Sequence, residues 1–243
     1  MVGRAPSILG VRLGAFAALA GALAAYYAVV DSLPTISVWW GVAFLSLVVV
    51  PAVFGLVYLA LPLFRHRGLV LVGLAFVALA AICEAADLGA LANFAKLGAV
   101  TCIAFWFLTY FESLSWVVLV AAIVPWVDAW SVWQGPTHAI VSQRKEIFTT
   151  LSFAFPAPGE RGSANLGLPD LLFFALFLAT TARFRLRTGW TWLAMMLSLG
   201  ATMAFAVGFA LNGLPALPGL SITFLAVNAD LLWRRLRPRR APA

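Results

Sequence analysis

Eight apolar runs of about 20 residues each follow one another along the chain, at roughly 8–30, 37–63, 68–86, 94–111, 114–133, 166–184, 189–210 and 215–233. Each is long enough to cross a hydrocarbon core of about 30 Å as a helix. Hydrophobic residues make up 63% of the 243 residues and charged residues 10%, more apolar side chain than a soluble domain of this length can bury. The runs predict an all-α, multi-pass transmembrane bundle of about eight helices, a single membrane-embedded domain over 1–243. The opening segment "MVGRAPSILGVRLGAFAALAGALAA" has the small-residue ending of a signal peptide. Its apolar run is long for one and Arg12 interrupts its start, so it reads as a retained first helix. The weakly polar "CEAADLGALANFAK" leaves open whether the third and fourth runs are two helices or one long bent one.

The charges sort by side. With eight spans, both termini and alternate loops share one face of the membrane. The opposite face receives Lys96, Arg144, Lys145 and Arg161, which leaves twelve of the 16 Lys and Arg on the side of the termini. Basic residues concentrate in cytoplasmic loops, so both termini are expected in the cytoplasm and the polar, turn-rich loop 134–165 outside. The net charge of +7 is accounted for by this topology and does not point to nucleic acid. Cys83 and Cys102 sit in apolar runs and read as small buried hydrophobes. His66 and His138 have no metal-ligand spacing around them, and no phosphate loop, dinucleotide fingerprint or nucleophile elbow is present. No metal or cofactor is expected.

Acids inside the runs are the informative residues, because one at the centre of a span costs roughly 2.5–3.5 kcal/mol to insert. Glu84 and Asp87 lie near a helix end and can reach the interface. Asp230 precedes "WRRLRPRR" and reads as a partner for a nearby arginine. Asp128 lies deep in "VVLVAAIVPWVDAWSVW". On a helical wheel Trp126, Trp130 and Trp133 share one side, suited to lipid. Asp128 points the other way, beside Ala121, Val124, Pro125, Ser131 and Val132, a small-residue face suited to helix contact. Asp170, in "NLGLPDLLFFALF", sits just inside a helix start behind a proline. An acid there is ordinary helix-start chemistry when taken alone.

Depth links these acids to a third feature. Asp128 nears the outer end of one helix, Asp170 the outer start of the next, and "GLPALPGLSITF" (213–224) opens the last. Pro215 and Pro218 lack N–H groups and disfavour helix at Leu214 and Leu217. The backbone there is expected to be extended or broken, which at membrane depth requires burial in protein or a watery cavity. Such an edge could hold a substrate strand by main-chain bonds. Two carboxylates brought together in low dielectric cannot both ionise readily, so the pair shares a proton, the arrangement by which a carboxylate pair activates water on a carbonyl.

The three segments resemble the presenilin and signal-peptide-peptidase family of intramembrane aspartyl proteases. "VDAWSVWQGPTHAIV" (127–141) is similar to the family's Tyr-Asp segment. "LGLPDLLFFALF" (166–177) is similar to its Gly-x-Gly-Asp segment, and "LPALPGLSITF" (214–224) to its Pro-Ala-Leu segment. Val127 stands where the family has tyrosine and Pro169 where it has glycine. The match covers the C-terminal half; the N-terminal helices, 1–111, match only as apolar spans. The family has nine helices, and on an eight-span reading this chain lacks the first. The resemblance implies that Asp128 and Asp170 are the catalytic pair. It implies that Pro215, Ala216 and Leu217, with Gly167, Leu168 and Pro169, shape the site and hold substrate. Together with the charge asymmetry it implies a signal-peptide-peptidase-like orientation. The substrates would be transmembrane helices or signal-peptide remnants inserted with their N-termini inside.

Two other classes remain open at this point: a catalytically inactive homologue that binds membrane helices, and a proton-coupled transporter. Transporters often carry internal repeats, and the two halves of this chain show none. The Ala-, Arg- and Gly-rich composition suits a prokaryotic plasma membrane.

Overall fold

The computed structural model describes residues 8–133, 149–160, 162–211 and 214–236. Among them eight helices follow the apolar runs: α1 (Ile8–Val29), α2 (Val38–Arg65), α3 (Leu69–Ala85), α4 (Gly89–Phe107), α5 (Leu114–Trp133), α6 (Leu168–Arg183), α7 (Thr188–Gly208) and α8 (Leu217–Leu236). Five of them, α1, α2, α4, α5 and α7, are long and apolar enough to cross a membrane, and α3 is apolar but shorter. α2 contains a π turn at Leu45–Val49, just ahead of Pro51. A proline has no N–H for the carbonyl one turn back, and a local wide turn accommodates that gap. The third and fourth runs are two helices. α4 begins at Gly89 rather than 94, because "GALAN" adds helix-forming alanine and leucine but little hydropathy.

α6 is the centre of the bundle. Every residue from Phe174 to Thr181 is buried, which is why this helix is apolar on all sides rather than on one stripe. Phe174 meets Phe54 of α2, ring centroids 4.1 Å apart, and Phe177 stacks on Phe224 of α8 at 4.9 Å. The Thr180 and Thr181 hydroxyls donate to the Leu176 and Leu178 carbonyls of their own helix, both at 2.7 Å, so their burial strands no donor. α5 lies against α8, and α3 and α4 form an antiparallel pair whose second helix packs on α6.

The all-α expectation needs one correction. β1 (Ser152–Pro156) and β2 (Ser163–Gly167) form an antiparallel hairpin, with Ser152 opposite Gly167 and Pro156 opposite Ser163. It occupies the end of the stretch expected to be an irregular loop. Residues 166–167, expected in the helix, belong to β2. Residues 134–148 and 161 of that loop lie outside the described residues. An isolated two-stranded ribbon is at best marginally stable in water, and here the bundle holds it. Phe153 and Phe155 bury side by side. Asn93 of α4, 4% exposed, spans the Ala154 backbone. Its Nδ2 donates to the Ala154 carbonyl (2.7 Å) and its Oδ1 accepts from the Ala154 N–H (2.9 Å). The Tyr27 hydroxyl donates to the same carbonyl (2.7 Å) and the Tyr26 hydroxyl to that of Pro156 (2.6 Å). Lys96, ion-paired with Glu84, donates to the Ser152 carbonyl (3.5 Å). Gly159, at φ 68°, seats the hairpin on the α1–α2 connection. Its N–H donates to the Val30 carbonyl (3.0 Å), and an added Cβ would lie 2.5 Å from the Leu33 carbonyl oxygen.

Candidate active site

α5 presents a stripe of Leu114, Val117, Ala121, Val124 and Asp128, spaced three and four residues apart. The first three are buried and the last two half-buried. Trp126 and Trp130 face out, 78% and 60% exposed, as the helical wheel predicts. The side chain of Trp133 lies outside the description. Asp128 therefore faces into the bundle, and its Oδ2 accepts a hydrogen bond from the Leu217 N–H at 3.2 Å. Leu217 is the first residue of α8, so its N–H has no carbonyl of its own helix to meet. A carboxylate from a neighbouring helix fills that role and lies at the positive end of the α8 dipole.

Asp170 is the third residue of α6. The Gly167 N–H hydrogen-bonds back to its carboxylate, the reach-back of an N-terminal capping box. A Cβ on Gly167 would come 3.2 Å from Asp170 Oδ2. The Gly167 backbone is at φ −59°, ψ 144°, open to any residue, so glycine is needed here for space and not for conformation. Pro169 is the second residue of α6, where its fixed φ suits the helix and its missing N–H had no intrahelical partner. The Leu168 N–H donates to the Leu151 carbonyl (3.1 Å), so the hairpin runs into the helix without a break.

Asp128 lies near enough to Asp170 for its charge to act on it. Asp128 also meets the Pro-Ala-Leu segment through the Leu217 N–H; there Ala216 and Leu217 are buried and Pro215 is half-buried. The expected broken backbone is narrower than the sequence suggests. Leu214, Pro215 and Ala216 are non-helical, but Pro218 lies in the first turn of α8, and the Leu220 N–H already donates to the Ala216 carbonyl (3.2 Å). Proline at an early helix position loses nothing, so Pro218 starts the helix rather than breaking it.

Elsewhere the acids have plain partners. Glu84 pairs with Lys96 inside the bundle, which makes Lys96 a span residue and not a loop cation. Asp230 pairs with Arg187, from the α6–α7 connection; of its own basic run, the described Arg234 and Arg235 make no ion pair with it. Among the described residues no three His, Cys, Asp or Glu side chains come together. One buried polar group of α8 went unread in the sequence. Ser221, one turn beyond Leu217, is fully buried and its Oγ has no partner among the described residues, a need that an ordered water can meet. Among known proteins, no family model matches the chain and no curated sequence matches it significantly.

Proposed function

We propose that the chain is an intramembrane aspartyl protease of the presenilin and signal-peptide-peptidase type. One observation carries the reading: two carboxylates from separate helices, Asp128 and Asp170, lie within electrostatic reach of each other, and Asp128 holds the N–H that opens α8. With one proton shared between them, the ionised carboxylate takes a proton from water as the water oxygen attacks the scissile carbonyl carbon. The protonated carboxyl gives its proton to the carbonyl oxygen. Collapse of the resulting gem-diol breaks the C–N bond and returns a proton to the departing amine. No metal or cofactor enters.

Two further features support it. At 1.5 Å per residue α6 is about 24 Å long, less than a hydrocarbon core of about 30 Å, so its Asp170 end can sit below the membrane surface with the hairpin above it. In addition, Ala154 turns its N–H and C=O to Asn93, so on β2 the opposite residues Ser163, Asn165 and Gly167 turn theirs away from β1. Along that edge the Gly167 N–H is taken by Asp170 and the Ser163 carbonyl by the Asn165 side chain, which leaves chiefly the Asn165 main chain to pair with an unwound substrate strand. The substrates are transmembrane helices or signal-peptide remnants with cytoplasmic N-termini. The protein lies in a prokaryotic plasma membrane with both termini cytoplasmic and the stretch 134–165 outside.

A second reading has its own observation. Each aspartate meets the N–H of a helix start, a role that needs no catalysis, and Val127 and Pro169 depart from the family pattern. A catalytically silent homologue that binds membrane helices would keep the same contacts. Incubation of the purified protein in detergent with a labelled signal-peptide helix separates the two. Cleavage that disappears in both Asp128→Asn and Asp170→Asn supports the protease. Binding without cleavage by the wild type supports the silent homologue. Cleavage at the wild-type rate by either variant sinks the aspartate pair.

A further inference from the structure

The end of the bundle away from the two aspartates gathers arginines. Arg183, Arg185 and Arg187 lie at and after the end of α6, and Arg234 and Arg235 lie in the last turn of α8. Arg187 makes a two-pronged ion pair with Asp230 (2.7 and 2.8 Å) and donates to the Val227 carbonyl (2.8 Å). Arg183 donates to the Leu108 carbonyl, and Arg235 to those of Phe184 and Arg185. Arg185 and Arg234 are exposed, and neither forms an ion pair with a described carboxylate. Asp230 is thus the one carboxylate among the described residues that pairs within a group of five guanidiniums.

A groove of about 380 Å³ opens beside them, lined by Arg187, Trp190, Leu193, Ala194, Leu197 and Val227. Trp190, Ala194 and Leu197 recur three and four residues apart and share one face of α7. Val227, Asp230 and Arg234 do the same on α8, so Arg234 lies about two turns beyond the lining residue Val227 on the same face of α8, outside the groove lining itself. From Arg187 to Leu197 the wall is about 15 Å long at the helical rise. It is charged and aromatic at one end and apolar along the rest. Both walls are helices whose main-chain groups pair internally, so they offer no edge to a peptide. Arg187 and Asp230 hold each other as a pair with no net charge, so among the described residues the unpaired positive charge beside the groove belongs to Arg234 and Arg185.

We infer that this groove binds an anionic phospholipid of the phosphatidylglycerol type. One acyl chain lies along Leu193, Ala194 and Leu197, and the phosphate is drawn to the unpaired charge of Arg234, beside the Arg187–Asp230 pair, with Trp190 at headgroup level. The inference rests on the helices being membrane spans and is independent of any chemistry at Asp128 and Asp170.

The test uses the full chain purified in a neutral detergent, with bound lipid counted by native mass spectrometry and melting temperature recorded alongside. Phosphatidylglycerol should bind and raise the melting temperature, and phosphatidylcholine and inorganic phosphate should do neither. Arg234→Gln, at an exposed position, should weaken phosphatidylglycerol binding about fivefold, the scale of one basic residue at an anionic surface. Ala194→Phe, which fills the apolar wall, should remove it. Equal binding of the two lipids, an equal response to inorganic phosphate, or unchanged phosphatidylglycerol binding in both variants would overturn the proposal.

Discussion

Asp128→Asn keeps an acceptor oxygen for the Leu217 N–H and removes the ionisable group, whereas Asp128→Ala removes both. The contact at 3.2 Å is a helix cap supplied from another helix, and loss of a cap typically costs about 1 kcal/mol. Asp128→Asn should therefore melt near the wild type with cleavage reduced to background, and Asp128→Ala should lose cleavage and also about 1 kcal/mol of stability. Melting curves and the peptide assay on the same samples check this. A wild-type cleavage rate for Asp128→Asn would leave the residue a cap alone. Gly167 allows a finer test. Its backbone is unstrained for alanine, but the new Cβ would sit 3.2 Å from Asp170 Oδ2, so the carboxylate must move by a few tenths of an ångström. Misplacement by 1 Å can cost a hundredfold in rate, so Gly167→Ala should slow cleavage by about tenfold or less with the melting temperature nearly unchanged. An unchanged kcat would mean that the position of this carboxylate does not matter.

The start of α8 ties element geometry to the site. Among the described residues, Leu214, Pro215 and Ala216 lead into it without helix. If Pro215→Ala lets α8 grow by a turn, the Leu217 N–H gains a carbonyl four residues back and no longer needs Asp128. Cleavage should fall while the protein stays folded. Pro218→Ala changes a residue already in the first helical turn and should be nearly neutral; equal losses in both variants would refute the distinction. The hairpin makes a separate prediction. Asn93→Ala strips the partner from the half-buried Ala154 N–H, though Tyr27 still serves the carbonyl. Loss of one hydrogen bond costs about 0.5–1.5 kcal/mol, so β1 amides should exchange faster with solvent than those of α6. The eight helices were legible because continuous apolar runs of about 20 residues are a strong signal, and the inward aim of Asp128 because the tryptophans fall on the opposite side of its helical wheel. The hairpin was not. Its strands are five residues each inside a polar stretch, and only the Phe153–Ala154–Phe155 alternation marked them. The polar pair Asn93 and Lys96, three apart on an apolar helix, was the readable sign that α4 holds something, but the sign does not say that the partner is a strand.

At the scale of the whole molecule, orientation decides which substrates can reach the aspartates. Twelve of the 16 Lys and Arg belong to the side of the termini on an eight-span reading. Lys96 turns out to be paired inside α4, so it carries no weight as a loop charge, and the bias grows to twelve against three. The two aspartates and the hairpin lie at one end of α6 and the arginine cluster at the other. On the topology proposed from this asymmetry, the candidate site would face outward and the proposed lipid groove the cytoplasm. Single cysteines report this directly. Gly162 is exposed beside β2 with nothing within 4 Å of a Cβ, His66 is exposed in the α2–α3 connection, and the native Cys83 and Cys102 are buried, so background labelling should be low. In intact cells a membrane-impermeant maleimide should label Gly162→Cys and spare His66→Cys until the membrane is opened. The reverse pattern would put the aspartates toward the cytoplasm, and a substrate helix would then have to present its opposite end. Helices inserted with a cytoplasmic N-terminus would cease to be the expected substrates, even if Asp128 and Asp170 still cut peptides in detergent.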